Sequence, residues 1–395
     1  MKKLFWIFIA SPVLFSARIW AQETVKDTVF LIPFADTVLL DEVVVKAHKT
    51  IPMNNRWSDL QPVDLVTVAG ANGNLYKALE TLPGTQIQGE SGRLLVRGGS
   101  SDETQTYIDG MHVLNPYTST AENIPARGRY SPFMFSGINL STGGHSQEYG
   151  EALSAVLPLE TKDNSRINKV GISPSTVGIG GGGNHAFRNA SLALNLDYQN
   201  LALYNKVYPG RIDFKKPYQM FSGATQFRYT PSGSSVFKIY VGYDRTDYSN
   251  YTDNNRYLFC LGENNVYLNS TFRTAISGGW EWFSGMAYSR KVDGAVTEGD
   301  HWCEKQAELH FKTKLSKKFH PTFRMDVGFE SFLRWYETRY SQVSVADTKE
   351  ISPTIEAVFG TVSYYPVENL KAELSFRTEY APFVLFSFVV LLFVV

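Results

Sequence analysis

From about Asp163 to Pro382, apolar and polar residues alternate in short runs separated by polar turns. In Ser191–Tyr198, Leu192, Leu194, Leu196 and Tyr198 alternate with Ser191, Ala193, Asn195 and Asp197. Phe237, Ile239, Val241 and Tyr243 alternate with Lys238, Tyr240, Gly242 and Asp244, and Ala307, Leu309 and Phe311 with Glu308, His310 and Lys312. The pattern returns at Phe323–Glu330 and Leu370–Arg377. A period of two puts one set of side chains on each face of a strand, so this half of the chain is predicted to be an antiparallel sheet. An apolar face toward lipid with a polar face toward a wet lumen yields such alternation, and so does a soluble β-sandwich.

Ahead of these strands the pattern is mixed. Asn74–Leu82 predicts a helix with Leu75, Leu79 and Leu82 on one face, capped by Asn72 or Asn74 and stopped by Pro83-Gly84. Short strands are predicted at Leu94–Arg97 and Thr104–Asp109, closed by turns at Arg97-Gly98-Gly99 and Asp109-Gly110. Residues 50–162 therefore predict a compact α+β domain. Before it, Asp41–Ala47 is a charged start on a β-branched run. Lys2 and Lys3, the apolar run Leu4–Phe15 and Ala21 form a secretory signal peptide over residues 1–21. That apolar run is too short to span a bilayer as a helix.

Composition narrows the function. The 38 basic and 38 acidic residues cancel, which argues against a nucleic-acid partner that needs a clustered basic excess. Aromatics reach 14% of residues, which suits strands facing lipid but also a soluble all-β protein. Cys260 and Cys303 are too few for a disulfide framework, and His301-Trp302-Cys303 is too sparse for a metal site. Gly178–Gly183 fits GxGxxG formally, but a strand pattern follows it where a dinucleotide site needs a helix, so a glycine-rich turn or bend is expected. No catalytic constellation is found, and neither an enzyme nor a cofactor is expected.

Seven segments, in order, carry a resemblance. They are Leu82-Pro83-Gly84, Leu94–Gly99, Tyr107-Ile108-Asp109-Gly110, Asn115-Pro116-Tyr117, Gly137–Leu140, Gly143-Gly144 and Glu148–Ser154. Together the segments resemble the plug domain of TonB-dependent outer-membrane receptors. The plug-motif residues are Leu82, Pro83, Gly84, Arg97, Gly98, Gly99, Asp109, Gly110, Asn115, Pro116, Glu148, Tyr149 and Gly150. Physically, Gly98 and Gly99 are expected to take positive φ in a tight turn, and Asp109-Gly110 to turn a hairpin. Arg97, Asp102, Glu103 and Asp109 are expected to be poised to pair inside the plug. The segment Asp41, Glu42, Val43, Val44, Val45, Lys46, Ala47 resembles the family's TonB box, a stretch able to add as a strand to a partner's sheet. Its alternative is a first edge strand of the plug.

The resemblance implies an α+β plug domain followed by antiparallel transmembrane β-barrel strands in the cell outer membrane. It implies active uptake of a small nutrient of unspecified kind, powered by a TonB-type energy-coupling protein, with the barrel in contact with outer-membrane lipid. A secreted or surface β-rich binding protein that uses the plug-like domain as an interaction module is the alternative.

The implied barrel has about 22 strands, whereas at roughly 20–25 residues per strand and connection the chain after residue 162 supplies about ten. A closed barrel of ten strands could not hold this plug. The expected organisation is a signal peptide (1–21), a linker with the box-like segment (22–49), a plug (50–162), a partial barrel (163–382) and a hydrophobic tail (383–395). Phe383–Val395 has no charge and no alternation, so a reading frame shifted near Ala381 or Pro382, truncating a longer receptor, is expected. The alternative is a genuine short protein whose last strand packs against a partner chain.

Overall fold

The computed structural model describes residues 57–60, 62–71, 73–87, 91–120, 126–162, 168–209, 213–252, 257–297, 300–342, 345–367, 370–382 and 384–394. The signal peptide and the Asp41–Ala47 segment lie outside the described residues.

Strand β1 (Trp57–Leu60) leads into helix α1 (Pro62–Thr67), whose first residue is a proline, tolerated there because that position needs no N–H partner. Asn74 then caps α2 (Leu75–Leu79), its Oδ1 accepting from the Tyr76 amide at 3.1 Å. The helix is shorter than its apolar spacing predicts. After Glu80 the Thr81 and Leu82 amides reach back only three residues, and Gly84 at φ +84° turns the chain out. Leu75 and Leu79 are nevertheless fully buried, with Leu82 packed partly against the same core.

Six further plug strands follow: β2 (Thr85–Ile87), β3 (Leu94–Val96), β4 (Thr104–Ile108), β5 (Met111–His112), β6 (Phe135–Ser141) and β7 (Ala155–Thr161). They form a two-stranded β2-β3 pair and a five-stranded sheet of order β1-β6-β7-β4-β5. Only the β4–β7 pairing is parallel. The inward residues of this sheet, among them Ile108, Ile138, Leu140 and Leu157, close over α2 in one apolar core. Between Ile108 and Met111, which pair, Asp109 and Gly110 both have positive φ (+51° and +85°), as a two-residue type I′ turn requires.

The wall begins at β8 (Lys169–Ser175), β9 (Gly178–Ala186) and β10 (Ala190–Asn200), then a short helix α3 (Ala202–Val207). It continues through β11 (Phe214–Ser232), β12 (Ser235–Thr252), β13 (Tyr257–Ile276), β14 (Trp280–Thr297), β15 (Asp300–His320) and β16 (Phe323–Gln342). Last come β17 (Val345–Ile351), β18 (Thr354–Val367), β19 (Leu370–Ala381) and β20 (Val384–Val394). The thirteen strands form one antiparallel sheet, a partial barrel with β8 and β20 at its ends and β17 appended to β16. Thirteen exceeds the expected ten because β8, β9 and β17 are only seven to nine residues long. Strands β11–β16 run 18 to 21 residues. At roughly 3.3 Å per residue and a tilt of about 45°, such a strand rises about 45 Å, more than a hydrocarbon core of about 30 Å.

The glycine-rich expectation changes here. Gly178–Gly183 is neither a turn nor a bend but the body of β9, paired on both sides with β8 and β10. Within the hydrophobic tail, Val384–Val394 pairs with β19 as β20, with one register shift near its start, and so extends the sheet.

The alternation separates the two faces as predicted. Leu192, Leu194 and Leu196 are each more than 40% exposed on the outside, whereas Glu308, His310 and Lys312 on the inside are at most 1% exposed. The inner face is thus covered by the plug and not by open water. On the outside, Trp280 and Phe319 flank the Lys317 ammonium at 4.8 and 4.7 Å, a pairing suited to a membrane interface. Phe311 lies near the middle of β15 and points outward. Phe311→Arg should cost about 2–4 kcal/mol when unfolding is followed by urea titration in lipid vesicles. A cost near zero would place that face in water.

Candidate plug–wall coupling site

The plug-motif residues divide into those that shape turns and those that reach the wall. Gly84 accepts the Arg97 amide at 2.8 Å through its carbonyl, tying Leu82-Pro83-Gly84 to the β3 turn. In that turn Arg97 and Gly98 carry the positive φ (+51° and +79°), and Gly99 does not. Gly99 serves a different need: a Cβ there would lie 2.7 Å from the Ser154 Cβ, so only glycine lets the two segments approach.

The expected pairing of Arg97, Asp102, Glu103 and Asp109 within the plug is not formed. Arg97 is exposed, and the 88% exposed Asp102 side chain lies 3.9 Å from Arg93. The Asp109 carboxylate instead accepts from the Thr161 amide (3.1 Å) and hydroxyl (2.6 Å) and from Lys238 Nζ on β12 (2.8 Å). The plug interior is apolar, so Asp109 sits at its rim and takes its counter-charge from the wall.

Asn115 and Pro116 act through their carbonyls, which accept from Arg129 Nε (3.0 Å) and the Arg129 amide (3.2 Å). Arg129, which no motif singled out, is buried with one guanidinium arm on Asp244 of β12 and the other on Glu263 of β13. Burial alone would lower its pKa, but the two carboxylates raise it and keep it charged. Glu263 also accepts the Ser119 amide (2.9 Å), and the Ser119 hydroxyl reaches Asp293 of β14 (2.8 Å).

Glu148-Tyr149-Gly150 meets the other side of the wall. Glu148 pairs with Lys314 (2.6 Å) and Lys312 (3.3 Å), both on β15. Burial would raise its carboxyl, yet the two ammoniums hold it at about 2, below its usual 4.5. Tyr149 packs edge-on against Tyr107 with centroids 4.8 Å apart, and Lys312 sits 5.3 and 5.6 Å from the two rings. Gly150 leaves room for the Arg377 guanidinium of β19. Next to it, Glu151 meets Arg334 of β16 through both carboxylate oxygens (2.9 and 2.5 Å). Burial pushes the Glu151 carboxyl up, and Arg334 more than reverses the effect.

His112 completes this side. Its Nδ1 lies 2.7 Å from Glu308 Oε1, whose other oxygen accepts from Arg334 Nε at 2.7 Å. Sequence reading missed His112, Arg129 and the individual wall partners. The only available signal was the unusual charge density of the inward set Glu308-His310-Lys312. What the arrangement can do is hold a folded domain against a wall through ion pairs that water could replace.

Residues 65–156 match the family model described as TonB-dependent Receptor Plug Domain. Over this stretch the chain is similar to a TonB-dependent receptor plug. The same architecture occurs in solved structures. A ferric enterobactin receptor (PfeA) mutant from Pseudomonas aeruginosa superimposes with TM-score 0.62 at 12% identity, covering 86% of this chain and 59% of that one. The outer membrane transporter YddB from Escherichia coli gives 0.67 at 12%, covering 85% and 57%. The siderophore receptor PirA from Acinetobacter baumannii gives 0.65 at 11%, covering 87% and 59%. At such identities the likeness is one of fold, the plugged barrel of outer-membrane TonB-dependent receptors, and this chain spans less than two thirds of each relative's length. No curated protein sequence matches the chain.

Removing Arg129 leaves two buried carboxylates facing each other. Arg129→Ala should therefore destabilise the plug–wall contact by about 3–5 kcal/mol, measured by chemical unfolding of the folded chain in micelles. Arg129→Ala combined with Asp244→Asn and Glu263→Gln should recover most of that loss. Because the Glu148 carboxyl is depressed when folded, its contribution is present above pH 4.5 and is lost as pH falls toward about 2. Hydrogen exchange at Tyr149 and Gly150 should show this acid limb, and Glu148→Gln should remove it.

Proposed function

We propose that the chain serves as a TonB-dependent outer-membrane receptor for active uptake of a small nutrient. The observation that carries this reading is the way plug and wall meet. The apolar core of the plug extends to Tyr240, Tyr267, Phe283 and Ala287 of the wall, and ion pairs supply much of the remaining contact, so the plug can shift as a folded unit while water takes over the exposed charges. In this reading the apolar outer face of the wall lies in the lipid of the outer membrane.

In this reading Asp41–Ala47 docks to the TonB-type coupling protein by strand addition, which needs an extended backbone more than particular side chains. Force on that segment reaches β1 first, about ten residues along the chain. β1 is an edge strand held to β6 over four paired residues only, Trp57↔Ser141 to Leu60↔Ile138. An edge strand this short is a weak point at which traction can begin to loosen the plug sheet. The nutrient would then pass along the wall. Since two of the structural relatives are named as siderophore-type receptors, a ferric siderophore is the ligand class to test first.

Val44→Pro removes a backbone donor from the docking strand and should abolish energised uptake, while Val44→Ala should leave most of it. Uptake is measured with labelled ligand in cells with and without the coupling protein. Uptake that persists with Val44→Pro, or without the coupling protein, would contradict the docking role.

A further inference from the structure

Two histidines meet where the plug touches the wall, and their hydrogen bonds require different protonation states. His112 ends β5, and His310 lies inside the wall on β15, their ring centroids 6.3 Å apart. The His112 backbone N–H donates to His310 Nδ1 at 3.0 Å. A ring nitrogen that accepts carries no proton, so the His310 proton sits on Nε2, which donates to Glu330 Oε1 at 2.9 Å. His310 is therefore a neutral imidazole.

His112 is the opposite case. Its Nδ1 faces Glu308 Oε1 at 2.7 Å and its Nε2 faces Gln105 Oε1 at 2.8 Å. The Gln105 amide is oriented by its own Nε2, which donates to the Asp102 carbonyl at 2.7 Å. Both ring nitrogens of His112 thus face acceptors and both must donate, which only the imidazolium can do.

We propose that His112 and His310 form a proton-dependent latch between plug and wall, closed when His112 is an imidazolium and His310 a neutral imidazole. Adding a proton to His310 sets its Nδ1–H against the His112 N–H, donor facing donor. Taking one from His112 leaves a ring lone pair against Glu308 or Gln105, acceptor facing acceptor. Either change opens the latch, so its grip passes through a maximum with pH.

The surroundings leave the histidines as the responsive groups. Glu308 has a second cation in Arg334, and Glu330 is joined by Arg377 (2.9 Å) and Lys312 (3.6 Å). From the plug, Glu151 meets Arg334, Glu148 meets Lys312, and the Tyr107 ring stands edge-on to His112 at 5.4 Å. Phe332 stacks on His310 at 4.3 Å, closing the cluster to water. Of these side chains only histidine ordinarily changes charge between pH 5 and 8. The latch is a property of the plug–wall contact and does not depend on energy coupling, so either can fail alone.

The test uses the full chain in detergent micelles, labelled with nitrogen-15 histidine. Loss of signals in His112→Gln and His310→Gln assigns the ring-nitrogen resonances. At neutral pH His112 should show two protonated nitrogens, and His310 one protonated and one bare. Amide protection at Met111–Val113 should fall on both acidification and alkalinisation, by on the order of tenfold, the worth of one hydrogen bond to a charged group. Glutamine at 310 can accept and donate as the neutral imidazole does without titrating, so His310→Gln should lose the acid limb and keep the alkaline one. His112→Arg, a permanent cation, should lose the alkaline limb. A neutral His112 at neutral pH, or flat protection across the range in the native chain, overturns the proposal. The ring signals of the native chain decide the first point even if a variant fails to fold.

Discussion

Each strand of the wall has an apolar outer face and a charged inner one, and the plug stands against the inner face. Charges buried on that face need partners there, and Asp244, Glu263, Glu308 and Lys312 find them on the plug. Burying a lone charge costs several kcal/mol, so plug and wall are complementary charge for charge. Arg129 enters between Asp244 and Glu263, Glu148 between Lys312 and Lys314, and Arg334 between Glu151 and Glu308. These pairs are worth little net energy against a hydrated wall, but they are costly to mismatch. They fix where the plug sits without binding it irreversibly.

The wall does not grip the plug uniformly. Along β12 and β13 aromatic contacts stand beside the Arg129 and Lys238 ion pairs: Phe135 stacks on Tyr240 at 6.1 Å, and Tyr130 lies close to both Tyr240 and Tyr267. The Tyr130 and Tyr240 hydroxyls beside it are buried without protein partners, next to a cavity of about 20 Å³ lined by Arg129, Ser222, Asp244 and Asn265. That is room for one water. Along β15–β19 the contact is ionic, running from Glu308 to Arg377.

Much of this was legible in the residues. Asn74 marked the start of α2, Asp109-Gly110 marked the β4–β5 turn, and the period-two runs named the outward and inward residues of the wall. These features depend on neighbours within a few residues, where sterics and one or two hydrogen bonds decide. The reading went wrong where a residue's role depended on a distant segment. Arg97, Asp102, Glu103 and Asp109 were expected to pair inside the plug, yet Asp109 pairs with Lys238 of the wall. Gly99 was credited with a positive φ, whereas its task is to make room for Ser154. Val384–Val394 lacks the alternation and pairs with β19 all the same, because an antiparallel neighbour offers the same backbone hydrogen bonds to any side chains.

The sequence by itself determined a plug of helix and short strands followed by a two-faced antiparallel wall, since periodicity, caps and turns are local properties. It also placed charges on the inner face. Only the tertiary structure decided which charge meets which. Such a choice matches residues more than a hundred positions apart, as with Arg129 and Glu263 or His112 and Glu308. Those partners are set by strand register and by the depth at which the plug sits, and no pattern along one segment encodes either.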